Sequence, residues 1–344
     1  MKNSSILLIY TGGTIGMKQD PISLALRPFD FSQIMEEVPE LRKFGCKIDT
    51  ISFNPLIDSS DADPDFWIKI VNIIEEKYTN YDGFVVLHGT DTMSYTASAI
   101  SFMLEDLEKP VIFTGSQLPI GMLRTDGKEN LISSIEIATA KDKEGHAMVP
   151  EVCVFFDNEL YRGNRTTKYN AENFRAFRSA NYPILADVGI HIKYNIPAIN
   201  HPENWGKPLT THKNIDKNLA IIKVYPGISN QIIDTISKTK GLRAVILETY
   251  GSGNAPTNNE FLEAITNTIK KGIIVLNITQ CQAGSVDMDA YATGITMKEI
   301  GVISGEDSTI ETAISKMFLL LGQYSDNMNV RTCLGKNLRG EISK

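Results

Sequence analysis

The stretch Ile6-Leu7-Leu8-Ile9-Tyr10-Thr11-Gly12-Gly13-Thr14-Ile15-Gly16 sets the reading of the whole chain. A short unbroken apolar run reads as a strand buried on both faces, as in a parallel sheet. It stops at a hydroxyl and two glycines, where the chain must turn. The same phrase recurs: the apolar run 51–53 leads to Asp58-Ser59-Ser60-Asp61, and 84–87 to His88-Gly89-Thr90-Asp91-Thr92. The run 111–114 leads to Gly115-Ser116-Gln117, and 152–156 to Arg162-Gly163-Asn164-Arg165-Thr166-Thr167-Lys168. Further strands are expected at 219–224, 244–247, 273–277 and 302–303. Helix-length amphipathic stretches alternate with them at 64–78, 95–107, 129–140, 259–271 and 309–323. The first of these opens on Pro64 and carries Trp67, Ile70, Val71 and Ile74 at helical spacing.

Strands alternating with helices predict an α/β protein, and 344 residues exceed what one core usually holds, so two domains are expected. The proline-rich stretch 196–217, with Pro197, Pro202 and Pro208, lacks sustained periodicity and reads as the connection. The expected organisation is thus two α/β domains with largely parallel sheets. The larger, 1–195, has flavodoxin- or Rossmann-like layering, and the smaller spans 218–344.

Composition excludes several classes. With 34 basic against 41 acidic residues the net charge is −7, which disfavours a nucleic-acid-wrapping surface. No apolar run approaches the ~20 residues that span a bilayer. The four cysteines, Cys46, Cys153, Cys281 and Cys333, are scattered and read as free thiols. The apolar run at 6–10 is too brief for a secretory leader, so the cytoplasm is the expected location.

In open parallel sheets ligands sit beyond the carboxyl ends of the strands, so the hydroxyl-rich segments after each strand are the candidate site. Any one of them is adequately explained as turn chemistry or a helix cap: Thr92 and Ser94, or Asp61 and Asp63, suit helix starts. Five in one sheet are harder to explain that way. Cofactor motifs are absent. Gly12 to Gly16 lacks GxGxxG spacing, 121–128 is not a P-loop, the histidines have no HxxxH spacing, and no GxSxG elbow occurs. No metal and no cofactor are expected. What remains is a hydrolytic kit of threonines, an aspartate and a lysine, in which a lysine activates an alcohol nucleophile.

The segments TGGTIG at Thr11, HGTDT at His88 and YRGNRTTK at Tyr161 together resemble the bacterial-type L-asparaginase family, in its cytoplasmic type I branch. The resemblance continues through DSSD at Asp58, YTAS at Tyr95, TGSQ at Thr114, YPG at Tyr225, GNAP at Gly253, TQC at Thr279 and YATG at Tyr291. It implies hydrolysis of L-asparagine to L-aspartate and ammonia, with glutamine at most a weak substrate, by a homodimer or a homotetramer built as a dimer of dimers. It also implies a left-handed crossover in the first domain. Carried over residue by residue, Thr14 is the nucleophile. Thr90 and Lys168 form the activating pair, Asp91 takes the substrate ammonium, and Ser59, with Ser60 beside it, holds the α-carboxylate. Asn254 reaches the ammonium from a neighbouring subunit.

Two departures from the family stand out. Secreted relatives place a tyrosine in the mobile segment after the first strand, yet none lies between Tyr10 and Tyr78 here, so the lid expected at 17–28 has no assigned catalytic side chain. The effector site of some type I members is implied by Thr167 and Cys281, but Glu248 stands where an arginine is expected, so that regulation is not carried over. An amidotransferase subunit that modifies aminoacyl-tRNA shares the fold but carries an added N-terminal domain. A non-catalytic amino-acid-binding module would not be expected to keep Thr14, Thr90, Asp91 and Lys168 together.

Overall fold

A computed structural model describes residues 4–19, 26–28 and 34–343. The chain divides into two compact units, 1–179 with 183–211, and 180–182 with 212–344. Both are α/β.

In the first unit, strands β1 (Ser5–Tyr10), β2 (Lys47–Ser52), β3 (Gly83–Leu87), β4 (Val111–Thr114), β5 (Val152–Phe156), β6 (Glu159–Arg162), β7 (Ala186–Val188) and β8 (Ile192–Tyr194) form one sheet in the order β8-β7-β6-β5-β4-β3-β1-β2. The five strands from β5 to β2 are parallel, whereas β6, β7 and β8 join antiparallel. The sheet is therefore mixed, its parallel part matching the apolar runs. The residues of β3, β4 and β5 are all buried, which accounts for their unbroken hydrophobicity. Among the described residues β2 pairs only with β1 and is half-exposed, so Lys47 and Asp49 are tolerated and the strand begins four residues earlier than its apolar end suggests.

Helix α1 (Pro64–Lys77) starts with the Asp63 carboxylate accepting from the Phe66 N–H at 3.0 Å and buries Trp67, Ile70, Val71 and Ile74. Helix α2 (Met93–Met103) ends before Leu104–Glu105, which leaves the helix to pair with Thr210–Thr211. Helix α3 (Gly127–Thr139) packs against β1, β3, β4 and β5. Most of the stretch read from sequence as a connection belongs to this unit: Gly206 and Lys207 donate backbone N–H groups to Glu108, and Thr210–Thr211 forms a two-residue ladder.

Residues 198–200 are tied down by a buried ion pair. The Arg162 Nε lies 2.7 Å from Glu151 Oε2, and its Nη2 donates to the Ala198 carbonyl at 2.8 Å. The Asn200 N–H donates to Glu151 Oε1 at 2.5 Å. Burial pushes the Glu151 carboxyl above its ordinary value despite the guanidinium beside it. Removing one partner leaves the other charge stranded. Arg162→Met is therefore expected to lower the stability of this unit by about 3–5 kcal/mol, read from the denaturant midpoint. A midpoint unchanged from the parent would contradict this account of the pair.

The second unit has four parallel strands, β9 (Leu219–Lys223), β10 (Ala244–Thr249), β11 (Ile274–Thr279) and β12 (Ile303–Ser304), paired in that order. Val245, Leu247, Val275, Phe261 and Ile265 form its core, the last two from helix α4 (Asn259–Lys270), capped by Asn258. Its C-terminal segment is locked by a buried pair, Lys316 Nζ to Glu341 Oε1 at 2.7 Å. Among the described residues no helix is long and apolar enough to cross a membrane.

Candidate active site

The chain leaves β1 through Thr11, whose N–H and hydroxyl both donate to the Leu87 carbonyl, at 3.0 and 2.9 Å, while its own carbonyl accepts from the Ile57 N–H at 2.9 Å. These bonds stitch together the loops that follow β1, β2 and β3. Gly12 and Gly13 come next, both at positive φ. A Cβ on Gly13 would stand 2.6 Å from the Cα and N of Gly89, so the two loops meet backbone to backbone, an approach only glycine permits. A single 3-10 turn, Thr14–Gly16, then presents Thr14.

The loop after β2 is shaped by Asp58, whose Oδ1 accepts the Ser60 N–H at 2.9 Å and the Ser60 hydroxyl at 2.8 Å. Both bonds hold the Asp58 carboxyl below the usual range. Ser60 is thereby committed to Asp58, while Ser59 is buried. Thr92 lacks a capping bond to α2 and instead donates its hydroxyl to the Ser59 carbonyl at 2.6 Å, joining the second and third loops.

Lys168, in the two-residue strand Thr167–Lys168, reaches back to the third loop. Its Nζ donates to Thr90 Oγ1 at 2.8 Å and to Asp91 Oδ1 at 2.7 Å. On its other side Thr90 donates to Gln117 Oε1 at 3.5 Å, and the Gln117 amide nitrogen is fixed by the carbonyls of Ala171 and Asn173. Asp91 is 66% exposed, whereas Lys168 is 16% exposed, so the carboxylate remains open to a second cation.

These loops enclose a cavity of about 230 Å³ lined by Thr14, Ser59, Thr90 and Asp91, with Tyr10, Met17 and the glycine-rich backbone between them. That is below the ~300–1,000 Å³ of clefts for drug-sized ligands and suits a small polar molecule. Family models described as "Asparaginase, N-terminal" and "Glutaminase/Asparaginase C-terminal domain" match residues 5–200 and 218–334. The chain belongs to the asparaginase family. It is 43% identical to L-asparaginase 1 of Escherichia coli (strain K12), covering 100% of this chain and 99% of that one. It is 38% identical to the 60 kDa lysophospholipase of Mus musculus, over 98% of this chain and 62% of that one. The crystal structure of L-asparaginase I from Vibrio cholerae superposes with a TM-score of 0.88 at 37% identity, covering 99% of this chain and 100% of that one.

Of the asparaginase residues expected from the motifs, Thr14, Ser59, Thr90 and Asp91 line one cavity and Lys168 bonds two of them. Ser60 does not line it. Asn254 lies in the second unit, on a turn closed by backbone bonds with Tyr250, where its Oδ1 accepts the Thr293 hydroxyl at 2.7 Å. The lid expected at 17–28 pairs Met17–Gln19 with Leu26–Pro28, and its middle, 20–25, lies outside the described residues. Tyr10 and Gln117 were given no role from sequence, although Gln117 lies in the segment Gly115-Ser116-Gln117 picked out after the fourth strand. Away from the cavity, Asp142, Glu144 and His146 bring ligand atoms within 4.8 Å of one another, a D-x-E-x-H grouping that histidine-to-histidine spacing does not detect. The His146 ring there stacks on Trp205 at 4.1 Å.

His88, beneath the third loop, shapes the site without facing it. Fully buried, it has Nδ1 2.6 Å from the Gly89 carbonyl and Nε2 2.9 Å from Thr96 Oγ1, which accepts from Trp67 at 3.2 Å. Burial lowers its pKa from 6.5 to about 4. The folded protein keeps the ring neutral while the unfolded chain takes up a proton below pH 6.5. The corresponding stability, roughly 3 kcal/mol, is therefore complete above pH 6.5 and is lost as pH falls towards 4. Denaturation at pH 7 and pH 4.5 is expected to give a smaller difference for His88→Gln than for the parent. Equal differences would exclude His88 as the source.

Proposed function

We propose that this chain hydrolyses L-asparagine to L-aspartate and ammonia, with the Thr14 hydroxyl as nucleophile. The observation that carries the reading is the meeting of Thr14, Ser59, Thr90 and Asp91 around one small cavity, with the Lys168 ammonium bridging Thr90 and Asp91.

A free amino acid has two charged ends to satisfy, and charge-assisted bonds are the strong ones. Asp91 takes the α-ammonium, and Ser59 takes the α-carboxylate. The side-chain amide then lies toward Thr14. The Thr14 oxygen adds to the amide carbon, and the tetrahedral oxyanion is stabilised by backbone N–H groups of the glycine-rich turns. The carbon–nitrogen bond breaks, the amide nitrogen leaves as ammonia after gaining a proton, and water cleaves the resulting ester to aspartate and free Thr14. Thr90, held by Lys168, activates the attacking oxygen. Glutamine, one methylene longer, is a weaker substrate, a distinction worth ~1–3 kcal/mol. Ammonia release measured with asparagine and with glutamine over a range of concentrations tests the whole reading, and no release from either would refute it.

We further propose that the chain works in the cytoplasm as a homodimer or a dimer of dimers, with Asn254 of a neighbouring copy completing the ammonium site. Mixing inactive Thr14→Ala with impaired Asn254→Ala after dissociation and reassociation is expected to raise activity above the sum of the two, because some sites regain both native residues. If mixed oligomers form without that gain, Asn254 acts within its own chain.

A further inference from the structure

The turn that carries Thr14 rests on a side chain to which no role has been assigned. Tyr10, the last residue of β1, is 1% exposed yet lines the cavity. A Cβ on Gly16 would fall among the Cζ, Oη and Cε2 atoms of Tyr10, the last at 2.6 Å. The phenol end therefore lies directly against the Gly16 backbone, at the far end of the 3-10 turn that begins at Thr14 and closes with the Met17 N–H donating to the Thr14 carbonyl. The other end of Tyr10 does not move freely, since β1 is paired with β2 on one side and β3 on the other. Gly16 is buried and has no positive φ, so it is required by space rather than by backbone conformation.

We propose that Tyr10 is a positioning residue whose buried ring, seated against Gly16, sets the place of the Thr14 hydroxyl in the cavity. The proposal rests on Thr14 as nucleophile. It also supplies a fixed support in a chain with no tyrosine between Tyr10 and Tyr78. A methyl group at Gly16 shifts either the ring or the turn, and a displacement of about 1 Å at a reacting group costs on the order of 100-fold in rate.

The experiment measures kcat and KM for asparagine in the full chain carrying Gly16→Ala, Tyr10→Leu, Tyr10→Phe, and Gly16→Ala with Tyr10→Leu. Gly16→Ala is expected to lower kcat about 100-fold with little change in KM, and adding Tyr10→Leu is expected to recover about tenfold by removing the colliding ring. Tyr10→Phe, which keeps the ring, should stay near the parent, whereas Tyr10→Leu alone should lose kcat. The idea is overturned if the Gly16 and Tyr10 effects simply multiply. It is also overturned if Tyr10→Leu leaves kcat unchanged, or if Tyr10→Phe is as damaging as Tyr10→Leu, which would assign the role to the hydroxyl. The two single Tyr10 variants decide the matter even if Gly16→Ala does not fold. Thr14→Ala assayed alongside separates the two readings: activity in that variant refutes the nucleophile, while an inactive Thr14→Ala with no Tyr10–Gly16 coupling refutes only the support.

Discussion

Thr14→Ala is expected to lower turnover of asparagine by about 10⁴-fold or more while leaving the fold and substrate affinity close to the parent's. The size of the effect follows from what is removed. In the proposed mechanism Thr14 supplies the atom that forms the covalent bond, and three nearby hydroxyls are already engaged elsewhere. The Thr11 hydroxyl donates to the Leu87 carbonyl, Ser60 is committed to Asp58, and Thr90 is engaged by Lys168. The ground-state contacts assigned to the substrate's charged ends come from other residues, Asp91 and Ser59, so binding measured by calorimetry should survive. Thr14→Ser, which keeps the oxygen, should retain far more activity than alanine. A Thr14→Ala protein that turns over at near-parent rates would remove the mechanism.

Lys168→Met, similar in length and without charge, is expected to reduce kcat by about 10²–10⁴-fold, the range for loss of a positioned proton-transfer group. The geometry gives the lysine two tasks, a bond to the Thr90 hydroxyl at 2.8 Å and a pair with Asp91 at 2.7 Å. Lys168→Arg separates them, because a guanidinium keeps the charge but cannot give up its proton at any working pH. If proton transfer matters, arginine should rescue KM more than kcat, and the pH–rate profile should lose a limb. An unchanged rate and profile in Lys168→Met would make the residue purely structural.

The parallel half of the first sheet was legible because burial on both faces leaves continuous apolar runs, so β4 and β5 fall where expected. The antiparallel strands Ala186–Val188 and Ile192–Tyr194 were not, being short, partly exposed and carrying Asp187 and Lys193. Helix Ala292–Glu299 escaped for a similar reason: few of its residues are buried, and its apolar spacing is weak. The loops bearing Thr14, Ser59, Thr90, Asp91 and Lys168 could be picked out by their hydroxyls, glycines and charges after strands. The contacts among them could not be. Gln117 reaches Thr90 across 27 positions, and the need for Gly16 arises from a ring six residues earlier. Local spacing carries neither fact.

The abutment of Gly13 on Gly89 differs in kind from that of Gly16 on Tyr10. In the second, an enlargement on one side leaves the other a residue that can shrink. In the first, both partners are already the smallest residue available, and the atoms they present are main chain. A side chain acquired at Gly13 therefore has no single compensating step open to it at Gly89, whereas one acquired at Gly89 would run into the Ser59 side chain. The loop that carries Thr14 is thereby bound, at Gly13, to change together with the loop that carries Thr90 and Asp91 or not at all.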